Sequence, residues 1–353
     1  MFGIYRFLLA LLVSFNHLTG QRGIGSFAVF GFFILSGYLM TLILNQKYGF
    51  TRSGILKFIL NRFLRIYPTY WLVLLLSVGA IYALGHATDF HPNMRVVKTS
   101  EDFISNIAIF GLAPFGLITD NVRLVPPTWA LDVELTFYIF IALWLGRSPK
   151  RSLIGLILGF AFASFYLIAH RPELAYCFWL SALLPFSIGC CVYHYRDRLE
   201  WFWSKIGFLN QTQTSWVVFL VVMMFGTFLV SGLSLQLGRY LFCLPAGLMV
   251  FLLSKFNKNS FSPVLVGIDN FLGDLSYPLY LTHYLGGYLT WYFLKPCGGE
   301  KHCLLNFFFG TGIALLISTV LVFALERSIK KVRECVLLYG DTERLPEGEI
   351  VKA

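Results

Sequence analysis

Apolar runs, each continuous over 16 to 22 residues, recur along this 353-residue chain and decide most of what it can fold into. Backbone placed in hydrocarbon must satisfy its own hydrogen bonds, which leaves α-helices and closed β-barrels. Barrel strands alternate apolar and polar residues, and these runs do not. The reading is therefore all-α: a polytopic membrane protein of about ten transmembrane helices. Composition agrees, since only 13% of the residues are charged, against about 25% in soluble domains. The expected spans are 4–20, 26–45, 66–86, 129–146, 152–169, 176–193, 215–233, 239–254, 275–294 and 304–325.

Basic residues set the orientation. With the N-terminus in the cytosol, the inner loops hold 17 Lys and Arg and the outer loops 8, so both termini are expected to be cytosolic. The net charge of +10 follows from this loop distribution and does not argue for nucleic acid. Asn16, His17, Gln21 and Arg22 make a poor cleavage site, and no basic region precedes the first apolar run, so a cleaved signal peptide is not expected. Residues 87–128 are the longest stretch between spans. Their second part, Phe103 to Ile118, is apolar but short and broken by Pro114, which suggests a re-entrant or surface-lying segment. The linker 195–214, with Trp201 and Trp203, is expected at the inner interface. A membrane domain over 1–333 and a polar cytosolic tail over 334–353 complete the layout.

Four polar clusters must be held inside this apolar frame. In the first span Arg6 and His17 are eleven residues apart, close to three turns and about 16 Å along one face, with Ala10 and Ser14 between them. Asn61-Arg62-Phe-Leu-Arg65-Ile-Tyr-Pro68 precedes the third span, with Pro68 suited to the first turn of the next helix. Two guanidinium groups three residues apart suit phosphate, and they equally suit positive-inside anchoring. Trp129, Asp132 and Glu134 open the fourth span, with Thr128 as its N-cap; Glu134 is the deeper carboxylate. The outer ends of spans one and four are level, so Glu134 is expected to meet His17, either as a base with its orienting carboxylate or as an ion pair joining two helices. His283, in Tyr277-Pro-Leu-Tyr280-Leu-Thr-His283, fits a site residue or a helix-packing hydrogen bond.

Taken in order, these features resemble acyltransferase family 3, the integral-membrane O-acyltransferases of surface polysaccharides. The resemblance rests on Arg6 to His17, on Phe30-Gly-Phe-Phe-Ile-Leu-Ser-Gly37-Tyr, and on Arg62-Phe-Leu-Arg65-Ile-Tyr-Pro68. It continues with Trp129 and Glu134 ahead of Phe137-Tyr138, and with the Tyr277 to His283 run, so it covers nearly the whole chain. It implies a ten-span domain moving an acyl group, usually acetyl, from cytosolic acyl-CoA to a sugar hydroxyl across the membrane, with no metal. Here the separation of Asp132 from Glu134 by Val133 departs from the family's usual acidic pair. Some members carry a further esterase-like domain; relay to one would need a separate protein.

Combined with the residue chemistry, the resemblance gives a scheme. Arg6, Arg62 and Arg65 bind the phosphates of acetyl-CoA, and the pantetheine arm follows the Arg6–Ser14 stripe. His17 with Glu134 acts as general base, while Trp129, Asp132 and His283 face the acceptor. That acceptor would be a cell-surface or lipid-linked glycan such as lipopolysaccharide O-antigen, in a bacterial inner membrane; a homodimer is an admissible further partner. The alternative is a secondary transporter or flippase for a lipid-linked sugar or small solute, although no internal repeat is visible. Cys297 and Cys303 bracket an outer loop, where a disulfide and two free thiols fit equally well.

Overall fold

A computed structural model describes residues 2–21, 23–113, 122–169, 176, 178–205, 235–256, 261–326, 328–329 and 331–333. Among the described residues all regular secondary structure is helical. The main helices are α1 (Phe2–Thr19), α2 (Ile24–Ile43), α3 (Arg52–Leu84), α4 (Ser100–Ala108), α5 (Thr128–Leu143) and α6 (Pro149–Ile168). They continue with α7 (Leu183–His194), α8 (Arg196–Lys205), α9 (Leu235–Lys255), α10 (Pro263–Leu294) and α11 (Leu304–Leu321). Six of the described helices are long and apolar enough to cross a membrane: α1, α2 with the turn that follows it, α3, α6, α9 and α11 extended to Leu325. Large apolar side chains such as Leu75, Phe160, Ile168 and Leu316 are exposed on their outer faces, where hydrocarbon replaces water as the surroundings. The expected span 215–233 and the tail 334–353 lie outside the described residues, as do parts of the segments 103–118 and 195–214.

Local sequence starts three of the long helices. Thr51 accepts the Gly54 N–H at 3.1 Å, and the Ser-Pro pairs Ser148-Pro149 and Ser262-Pro263 cap α6 and α10. Thr128, expected as an N-cap, is instead the first residue of α5; its hydroxyl donates to the Val125 carbonyl and Pro127 precedes the helix. Pro68 likewise does not start a helix. It lies inside the 33-residue α3, where it has no N–H to give to the preceding turn. Arg62 and Arg65 therefore belong to the same continuous helix as the expected third span.

Small residues let the helices cross closely. A Cβ on Gly37 would stand 2.3 Å from the Phe186 carbonyl oxygen, and one on Gly189 would stand 2.0 Å from that of Ile34, which fixes the α2–α7 crossing. At the α10–α11 crossing, a Cβ on Gly286 would stand 2.2 Å from the Gly310 carbonyl oxygen. Ser14 and Ala10, both fully buried, belong to such a seam: the Ser14 and Thr311 hydroxyls are hydrogen-bonded at 2.8 Å. The stripe between Arg6 and His17 thus packs α1 against α11 and does not line a passage.

The segment between α3 and α5 is fastened to α3 by aromatic side chains. Tyr67 donates to the Ala108 carbonyl at 2.6 Å, Trp71 to that of Ile107 at 3.0 Å, and Tyr70 to that of Asn106. Asn106 is itself buried, and its amide joins Asp102, Val122 and Leu124. Between α10 and α11, Cys297 and Cys303 form a disulfide that closes a six-residue separation. That bond predicts no alkylation of either thiol in the native oxidised protein. Reduction before alkylation should add two labels on the peptides carrying them; labelling without reductant would contradict it. A second expectation concerns packing. Gly189→Ala must push α2 from α7 and should lower the yield of folded protein in detergent, as read by size-exclusion chromatography, whereas Gly79→Ala, with nothing near its Cβ, should not.

Candidate active site

Helices α1, α2, α3, α5 and α10 enclose a cavity of about 750 Å³. Arg6, Arg62, Arg65 and Arg333 line it together with the two carboxylates Glu134 and Asp274, so its wall carries an excess of two positive charges. Its apolar wall includes Phe32, Ile66, Leu131 and Tyr280. Like charges side by side repel, and a wall with this positive excess suits a polyanion. Asn61 braces it: the amide oxygen accepts from Arg62 at 2.7 Å and from Arg333 at 3.2 and 3.3 Å. The Nε of Arg62 is buried without a hydrogen-bond partner among the described residues.

Glu134 belongs to this cavity, not to His17. Its Oε1 accepts the Ser36 and Tyr138 hydroxyls, both at 2.5 Å. The expected meeting with His17 fails on depth. Glu134 is six residues inside α5, about 9 Å below its first residue, and faces the same cavity as Arg6. Asp132 points elsewhere again, with its carboxylate accepting the Ala113 N–H at 2.8 Å. It holds the segment between α3 and α5 in place. Trp129 is buried edge-on against Tyr176, with ring centroids 4.8 Å apart, and is not on the cavity wall.

His17 meets His283. The Nδ1 of His17 lies 2.9 Å from the Nε2 of His283, and the Nδ1 of His283 lies 2.8 Å from the Tyr280 carbonyl oxygen. A carbonyl only accepts, so the His283 proton sits on Nδ1 and its Nε2 presents a lone pair. That lone pair requires His17 to donate from Nδ1. The remaining nitrogen of His17, Nε2, is then an unprotonated base. Tyr284 packs against both rings at 4.8 Å and against His91 at 4.9 Å. Burial, with Arg123 nearby, pushes His91 down to about 3, which keeps it neutral. The backbone at the end of α1 is held from outside, where the His302 ring donates to the His17 carbonyl and the Cys303 N–H to that of Leu18, each at 3.0 Å.

The two places share one residue. Tyr280 lines the arginine cavity, its ring lies 6.2 Å from that of His283, and its carbonyl orients the histidine pair. Its hydroxyl is anchored on the Pro127 carbonyl at 3.0 Å. Residues 2–327 match the family described as an acyltransferase domain, acyltransferase family 3. The chain belongs to this family. It is also 26% identical over 160 residues to an uncharacterized protein of Haemophilus influenzae, covering 41% of this chain and 65% of that one. Several strains of Staphylococcus aureus have proteins provisionally named O-acetyltransferases that are 26% identical over 232 residues, or 62% of this chain. The chain spans about a third of the length of those proteins, 33%. No solved structure matches it.

Within this acyltransferase domain, sequence reasoning did not pair His17 with His283 and missed Asp274, Ser36 and Arg333 as cavity residues. Helical spacing could not supply them, because each comes from a different helix or from the segment after the last span. Arg333 had registered only as one of the basic residues of the inner side. If His283 fixes the tautomer of His17, His283→Ala should lower kcat for acyl transfer by about 10²- to 10⁴-fold and leave the KM for acyl-CoA near its normal value. Steady-state kinetics on the purified variant check this; a wild-type kcat would show that His17 needs no such partner.

Proposed function

We propose that this acyltransferase takes an acetyl group from cytosolic acetyl-CoA and places it on a hydroxyl of a cell-surface or lipid-linked glycan, with O-antigen as the first candidate. It would act in a bacterial cytoplasmic membrane as a ten-span domain over 1–333 with both termini inside. The observation that carries this reading is the position of Tyr280. One residue joins the arginine-lined cavity to the histidine pair, so a donor held by its phosphates can present its thioester toward His17.

In this scheme Arg6, Arg62 and Arg65 hold the donor's phosphates, guanidinium forks being matched to phosphate oxygens. Ser36, Tyr138 and Glu134 form a hydrogen-bonded group on the donor side, distinct from the base. The pantetheine arm runs along the apolar wall formed by Phe32 and Leu131 rather than along the α1 stripe. The Nε2 of His17 takes the proton of the acceptor hydroxyl as its oxygen attacks the thioester carbonyl. The tetrahedral intermediate then collapses, the C–S bond breaks, and the thiolate leaves with the proton returned by His17. Acceptor and acyl-CoA become ester and free CoA thiol. His283 and Tyr280 keep the base in the right tautomer throughout, and the acceptor approaches from the outer side, past Tyr284 and His91.

Two outcomes follow. His17→Ala should abolish transfer of label from radiolabelled acetyl-CoA to glycan in membranes, while the protein still accumulates and still binds CoA. Full transfer by that variant would sink the mechanism, and no thioester consumption by the wild-type protein would favour transport instead. Arg62→Ala should chiefly raise the KM for acetyl-CoA, by about 10-fold or more for the loss of a charge-assisted hydrogen bond, with kcat little changed at saturation.

A further inference from the structure

His17 stands in the last turn of α1, where the final four carbonyl groups have no partner inside the helix. Two of them are taken by one short segment outside α1. The His302 Nδ1–H donates to the His17 carbonyl and the Cys303 N–H to that of Leu18, each at 3.0 Å. Gly20, just past the helix, makes room for this contact. Its φ of 72° is left-handed, and a Cβ there would stand 3.1 Å from that of His302. The segment therefore grips α1 at the very residue whose ring lies 2.9 Å from His283.

The loop 295–303 does not keep its shape by backbone preference. Lys295 and Cys297 have φ of 43° and 52°, a region that residues with side chains seldom occupy, and Gly298 and Gly299 follow in it. Three contacts hold the loop. The Trp291 indole N–H donates to the Gly299 carbonyl at 2.8 Å, the Lys301 ammonium to that of Asp89 at 3.0 Å, and Cys297 is bonded to Cys303. The disulfide is the contact that ties the left-handed turn to a donor, since Cys303 supplies both a sulfur and the N–H on Leu18. We propose that the loop is a disulfide-clasped latch that sets the position of His17, with His302 as a positioning residue, and that reducing the clasp slows acyl transfer. This rests on His17 being the base. No residue of the loop lines the arginine cavity, so the latch acts on the base and not on donor binding. Cys297 is exposed and Cys303 half-buried, so a dissolved dithiol reaches the bond. Exchange leaves both cysteines as thiols and the dithiol as its own cyclic disulfide.

The test is steady-state acetyl transfer by the purified full chain in detergent, before and after dithiothreitol. Reduction of wild-type protein should lower kcat by about 3- to 10-fold, the worth of a hydrogen bond or so, and leave the KM for acetyl-CoA unchanged. Reoxidation should restore it. His302→Ala should show the same loss without reductant, and His302→Asn, whose amide N–H can stand in for the Nδ1–H, should recover most of it. The double variant Cys297→Ser with Cys303→Ser should start low and respond no further to dithiothreitol. If a variant folds poorly, reduction of the native protein decides alone. An unchanged kcat on reduction, or a loss of kcat matched by a loss of CoA binding, would overturn the latch and keep His17 as the base. Full transfer by His17→Ala would instead remove the base, and the latch with it.

Discussion

A guanidinium group cannot face hydrocarbon without large cost, and four of them in a membrane domain dictate much of the architecture around them. Helices α1, α2, α3, α5 and α10 line a cavity on whose mostly apolar wall Arg6, Arg62, Arg65 and Arg333 are gathered. Close crossings at Gly37, Gly189 and Gly286 keep the surrounding helices tight. Apolar side chains such as Leu316 and Phe160 are left for the lipid.

The histidine pair is held by a different device. Tyr280, His283 and His17 form a chain of hydrogen bonds that starts at a backbone carbonyl, and a carbonyl has only one role to offer. Tautomer choice therefore propagates from α10 to α1 without any ionised group. This contrasts with the usual carboxylate-oriented histidine, and it suits a site where an extra charge would be costly. The disulfide-closed loop reinforces it from outside by holding the carbonyls of His17 and Leu18.

Much of this was legible in the sequence, and the failures share a cause. Long apolar runs placed nine of the ten expected spans on helical segments, and six of the described helices are long and apolar enough to cross a membrane. Arg6, Arg62 and Arg65 declared themselves by cost. Glu134 was assigned to the wrong partner because level helix ends do not say which helix a side chain faces, and its partners are Ser36 and Tyr138. Ser14 looked like the lining of a passage, and Thr311, 297 residues away, shows that it is packing. Asp132 looked like a site residue, and its partner is a loop N–H. Each case concerns which distant segments touch, which a single sequence does not encode locally.

The central claim is that donor and base meet through the Tyr280 wall: phosphates among the arginines, acyl group at His17. Cryo-electron microscopy of the protein with a non-hydrolysable acyl-CoA analogue tests it most directly. The account predicts phosphate density at Arg62 and Arg65 and the acyl end beside Tyr280, directed at the Nε2 of His17. Phosphate density against the histidine pair, or a donor bound outside the arginine cavity, would contradict it.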